Sequence, residues 1–132
     1  MCRHSQLLNI TYNLTFLSCH KFPLAAIVAS GNRILSVGIN QYKTSPMQIN
    51  PYTNKIGNGI HAEFCALRGF KKGELIKSVI YIVRRHKDRT YALARPCKEC
   101  MKIIRNVGIK KIVYSIENNF IVEKIWDKEN DG

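Results

Sequence analysis

Apolar residues fall along this chain in short runs, and the spacing of those runs predicts alternating strands and helices. Leu24 to Ala29 and Arg33 to Ile39 are two such runs, separated by Ser30-Gly31-Asn32. Gly and Asn in that gap supply the backbone angles of a hairpin turn. Ser78 to Arg84 and Lys111 to Ile116 are β-branched and almost uninterrupted, the pattern of strands covered on both faces. Between and around them the period changes. His4 to Cys19 is an apolar-rich amphipathic segment that predicts a helix, although its β-branched residues lower helix propensity. His61 to Phe70 predicts a second helix, ended by Gly69 or Gly73, and Cys97 to Asn106 a third, closed by Gly108.

Two strands, helix, strand, helix, strand is an α/β arrangement in layers, with a mixed sheet. The last apolar run, Phe120 to Trp126, decides its end. From Ser115 only 17 residues remain to Gly132, too few for a crossover of a dozen or more residues plus a parallel strand. Glu117-Asn118-Asn119 therefore predicts a tight turn into an antiparallel strand, with a short terminal helix from Asn119 as the alternative. Lys43 to Gly59 is different in kind: two prolines, two glycines and four Asn or Gln in 17 residues. A loop of that length tends to be functional; Lys43, Tyr52 and Lys55 suit the rim of a pocket, and a plain surface excursion is the equal alternative.

The 132 residues, 45% of them hydrophobic, are expected to form one domain over residues 1–132 with a core that needs no disulfides. No run approaches the roughly 20 apolar residues of a membrane helix, and Met1 to Asn9 lack a signal peptide's apolar stretch. A cytoplasmic protein with no membrane partner is expected. The five cysteines (Cys2, Cys19, Cys65, Cys97, Cys100) are odd in number and irregular in spacing, so they read as thiols or metal ligands. A formal charge of +12 favours phosphate-bearing partners, mononucleotide or polymer, over a merely solvated surface.

The candidate chemistry lies in His61-Ala62-Glu63 and Pro96-Cys97-Lys98-Glu99-Cys100. Cys97 and Cys100 are three apart, so in the first turn of a helix their thiolates share a face. Pro96 sets the chain entering that helix, and the helix dipole favours thiolate there. Two thiolates and the His61 imidazole make three ligands. A catalytic zinc uses three and keeps its fourth position for water, and no second pair of donors at zinc spacing argues for a closed structural site. Glu63, about 200° around an ideal helix from His61, is placed to shuttle protons rather than to ligate.

At these residues the sequence resembles the zinc-dependent cytidine/deoxycytidylate deaminase superfamily. The likeness spans roughly Leu24 to Ile125. Besides the two motifs it includes Gly38-Ile39-Asn40, Ile103-Ile104, and Gly108-Ile109-Lys110-Lys111-Ile112-Val113-Tyr114. It implies a cytidine-deaminase-like three-layer domain, with a mixed sheet of about five strands and helices on its faces. One zinc per chain would sit between two helix N-termini on His61, Cys97 and Cys100, with Glu63 as the catalytic acid/base. The resemblance also implies substrate contacts from Asn40 and from the Ala62 backbone. Arg95 stands where relatives carry Glu, Ser or Thr near the leaving amine, and residues 85–90 are extra sequence; both leave the base unassigned.

The expected activity is hydrolytic deamination of a cytosine nucleoside or nucleotide, dCMP foremost, releasing ammonia. The partner is then a small-molecule nucleoside or nucleotide, and a homo-oligomer is expected. The alternative is a nucleic-acid deaminase acting on tRNA or single-stranded DNA. The +12 charge and the strip Arg84, Arg85, His86, Lys87, Arg89 with Tyr91 for stacking speak for it.

Overall fold

The computed structural model describes residues 3–18, 23–40 and 62–125. In chain order they form α1 (Arg3–Leu14), a 3-10 turn (Thr15–Leu17), β1 (Leu24–Ser30), β2 (Arg33–Ile39), α2 (Ala62–Leu67), β3 (Val79–Arg85), β4 (Tyr91–Ala92), α3 (Lys98–Asn106), β5 (Lys111–Ile116) and β6 (Asn119–Lys124). The sheet order is β2-β1-β3-β5-β6, with the two-residue β4 paired to β3. β3 and β5 run parallel and the other pairs antiparallel. The expected mixed sheet is present, β4 being its addition. The last strand is antiparallel: β6 folds back on β5 from Ile116↔Asn119 to Lys111↔Lys124.

Strand alternation sorts the core into two layers. Ala26, Val28, Ile80, Ile82, Ile112 and Tyr114 point to one face, where α2 and α3 cover them with Ala62, Ala66, Leu67, Met101, Ile103 and Ile104. Ile27, Ala29, Tyr81, Val83 and Val113 point to the other, beneath Leu7 and Leu8 of α1. A strand covered on both faces has no solvent side, which is why β1, β3 and β5 read as unbroken apolar runs.

The local expectations hold with adjustments. Gly31 supplies the left-handed turn residue between β1 and β2, at φ 61°, and Asn32 does not share that role. The first helix stops at Leu14, and α2 ends at Leu67 ahead of Gly69 (φ 96°). Cys97 is not in the first turn of α3 but caps it. Its backbone is extended (φ −70°, ψ 171°), and its carbonyl accepts the first helical bond, from Met101 N at 2.9 Å. The Lys43–Gly59 loop, with Lys43, Tyr52 and Lys55, lies outside the described residues, as do His61, Cys2, Cys19 and Trp126.

β2 and β3 both run antiparallel to β1, so β2, β3 and β5 share a direction and their carboxyl ends meet at one edge of the sheet. α2 and α3 follow β2 and β3 in the chain, so both begin at that edge, the side where open α/β sheets bind ligands. Gly38 brings α2 down onto β2. A Cβ there would collide with the Ala62 carbonyl and lie 2.6 Å from Ala66 N and 2.7 Å from Cys65 Cβ. Gly38→Ala is therefore expected to cost about 1–3 kcal/mol of stability, as overpacking does, and to lift the helix that carries Glu63. Thermal melting and turnover measured on the same preparation check this. Wild-type values for both would mean that α2 yields at no cost.

Candidate active site

The two motifs meet at the sheet edge just described. Ala62 opens α2 and is fully buried; Glu63 follows, with only 4% of its surface exposed. Cys97 caps α3, and Cys100, one turn on, is 3% exposed. The Cys100 thiol lies in hydrogen-bonding contact with both the Cys97 sulfur and the Glu63 carboxylate. Its pKa is driven far above the usual thiol range, first by the bond to Cys97, then by burial, then by the Glu63 charge. The buried Glu63 and Cys100 thus meet where α2 and α3 begin, with the exposed Cys97 thiol beside Cys100. The Cys65 thiol, half-buried rather than in the core, is pushed up chiefly by burial, with Arg68 opposing.

Asn40 ends β2 at the same edge. Its Oδ1 accepts a hydrogen bond from Leu24 N at 3.0 Å and lies 2.6 Å from the Ser18 hydroxyl, while its own N–H donates to Leu24 O at 3.0 Å. The side chain is oriented by the chain ends it joins. Arg95 is exposed and turned to β6, where its Nε and Nη2 donate to Glu123 at 3.2 and 3.1 Å. Ser115, fully buried, fastens the chain between β3 and α3: its hydroxyl donates to Ala92 O at 2.6 Å and accepts from Arg84 N at 3.1 Å. Nothing in the sequence marked Ser115, Tyr114 or Glu123 as site residues. Glu123 could have been noticed as the one acid in the run Phe120 to Trp126.

Residues 2–116 match the family described as cytidine and deoxycytidylate deaminase zinc-binding region. This chain belongs to that family. No curated protein sequence matches it. Among solved structures, it is similar to the apo dCMP deaminase of cyanophage S-TIM5, at 25% identity and TM-score 0.58 over 86% of this chain and 82% of that one. The same phage enzyme in complex with dCMP and dUMP superposes with TM-score 0.56 at 21% identity, covering 83% and 78%. The cytidine deaminase of Burkholderia pseudomallei shares the fold over 94% of this chain and 93% of its own, with TM-score 0.64 at 18% identity. The family and these neighbours are deaminases.

The deaminase family's zinc-binding span includes both motifs, and the donor chemistry agrees with it. Two soft thiols meet at a helix start, one on the cap residue and one a turn later. The groups that suppress one another's ionisation would all be stabilised by one divalent cation. Among the described residues no three His, Cys, Asp or Glu side chains form a metal-holding group; His61 is not one of the described residues.

In this deaminase the basic strip is largely engaged. Arg85 donates to Thr15 Oγ1 at 3.0 Å and lies 4.1 Å over the Phe16 ring. His86 pairs with Glu117 at 3.1 Å. Tyr91 is half-buried, edge-on to Tyr12 at 5.5 Å, and the Tyr12 hydroxyl holds Arg89 O at 2.8 Å. An open groove of about 730 Å³ follows this turn, lined by Asp88 and Glu117 as well as by Arg84 and Lys87. No described helix is long and apolar enough to cross a membrane.

Proposed function

We propose that this chain is a hydrolytic deaminase of a free cytosine nucleotide, dCMP foremost, with Glu63 as its proton carrier. The observation that carries this reading is the buried Glu63 carboxylate in contact with the Cys100 thiol at the joint start of two helices. His61, Cys97 and Cys100 would hold zinc there. When bound, zinc supplies the Lewis acidity that makes water a competent nucleophile near neutral pH.

Glu63 then does the proton work. It takes a proton from the water that adds to the amine-bearing ring carbon, and delivers it to the neighbouring ring nitrogen. It next passes the second water proton to the exocyclic amine. The carbon–nitrogen bond breaks, ammonia leaves, and the uracil carbonyl remains. Burial suits this role, because it keeps competing bulk solvent from the carboxylate. The Ala62 backbone and the oriented Asn40 are the proposed contacts to base and sugar, with Arg95, held by Glu123, outside the proposed contact set.

A small substrate is favoured over a polymer because the strip that would track a strand is occupied by its own contacts: Arg85 with Thr15 and Phe16, His86 with Glu117, Tyr91 with Tyr12. Identity of 25% to a dCMP deaminase points the same way. A single screen tests it, offering dCMP, CMP, their nucleosides and a single-stranded oligonucleotide. We expect dCMP to be turned over, and oligonucleotide binding to collapse between about 50 and 200 mM salt, as non-specific phosphate contact does. Turnover of the oligonucleotide with none of the free compounds would overturn this reading.

A further inference from the structure

The short segment leading into α3 is tied to the far edge of the sheet. Arg95 lies two residues before Cys97, between the buried Ala94 and Pro96. Its guanidinium grips Glu123 through two atoms, Nε to Oε1 at 3.2 Å and Nη2 to Oε2 at 3.1 Å. The Tyr114 hydroxyl, from a residue only 5% exposed, donates to the same Oε1 at 2.8 Å. Glu123 therefore accepts three hydrogen bonds, and its pKa is held below the usual carboxylate range, chiefly by Arg95. The backbone adds a parallel tie, Ala94 N to Ser115 O at 2.9 Å.

Each part of this arrangement removes a freedom. A two-point guanidinium–carboxylate fork sets orientation as well as distance, which a single bond does not. Pro96 fixes its own φ and restricts Arg95 to extended backbone, so little slack separates the fork from the Cys97 cap. The carboxylate itself is anchored, because β6 is registered on β5 from end to end and Tyr114 fixes the acid's rotamer. Arg95 and Glu123 keep 51% and 29% of their side-chain surface exposed. An ion pair that wet contributes little to folding, so its effect is sought in the site.

We propose that Glu123, with Tyr114 and Arg95, is a positioning device that holds Cys97 in its ligating place and so governs how long the chain keeps its metal. This rests on the zinc reading given above. None of the three residues ligates in it; they act through the backbone of residues 95–97. Partners behind metal ligands typically carry about 10–100-fold in metal affinity.

The experiment follows zinc release from the full-length loaded protein into an excess of a chromogenic chelator, beside the melting curve of the zinc-free chain. Glu123→Gln and Arg95→Gln should each release zinc roughly ten times faster than wild type, with the zinc-free melting curve unchanged. Arg95→Glu combined with Glu123→Arg, which restores a pair of opposite charges, should recover part of the retention. Lys124→Gln, on the same strand and outside the network, should release at the wild-type rate. Should Glu123→Gln fail to fold, Tyr114→Phe, which removes one hydroxyl, gives the same reading. Equal release from wild type and Glu123→Gln, or equal acceleration by Lys124→Gln, overturns the positioning role alone. A wild-type chain that takes up no zinc overturns the metal reading, and this inference with it.

Discussion

Glu63→Gln is expected to keep the fold and the metal and to lose nearly all activity. The carboxamide has the shape of the carboxylate and can still bond to Cys100, so the buried space stays filled and the helix starts stay together. What it cannot do is accept a proton. A positioned acid/base commonly contributes about 10²–10⁴-fold, and Glu63 would serve successive transfers in one turnover, so the loss should lie at the upper end of that range or beyond it. The check is kcat on dCMP together with zinc content and melting temperature. A variant with wild-type metal and near-normal turnover would assign the proton transfers elsewhere.

Cys100→Ala is expected to lose zinc and stability together. The side chain is 3% exposed and lies where α2 and α3 meet, so truncation leaves a gap between the two helices as well as two ligands where three are needed. Binding of a structured metal is coupled to folding, and a zinc bound to the native state alone stabilises it by mass action. We expect near-zero metal after dialysis, and a melting curve shifted down to that of the zinc-free wild type or below it. Cys65→Ala is the comparison: the Cys65 Cβ lies against Gly38 on β2 and its thiol is half-buried, so zinc should remain. Zinc retained in Cys100→Ala and lost in Cys65→Ala would exchange their roles.

Much of this was legible before any coordinates. Periods of two and of three to four residues separate strands from helices because side chains alternate across a sheet and recur every turn along a helix. The two-sided burial of β1, β3 and β5 is written in their unbroken apolar runs. The antiparallel β6 was signalled by the turn residues Glu117-Asn118-Asn119 between two apolar runs. The motifs are equally local: Cys97 and Cys100 are one turn apart whatever the rest of the chain does.

Other features could not be read, since they depend on which distant segments touch. Gly38 appears in the sequence as one more small residue in an apolar strand, and only the packing of α2 shows that a Cβ has no room there. Arg95 appears as a cation beside the metal motif; its attachment to Glu123, 28 residues later, exists only because β6 folds back beside β5. The basic strip from Arg84 to Arg89 promised a strand-binding surface from charge alone. Instead Thr15 and Phe16, about seventy residues earlier in the chain, engage the Arg85 side chain, and the Tyr12 hydroxyl holds the Arg89 carbonyl. The sequence by itself determined the elements, their order and the two motifs that carry the family likeness, because those rest on local periodicity and on residue type. The tertiary structure decided which helix lies on which glycine, which charges pair, and that Arg95 is tied to Glu123, because each is a contact between segments far apart in the chain.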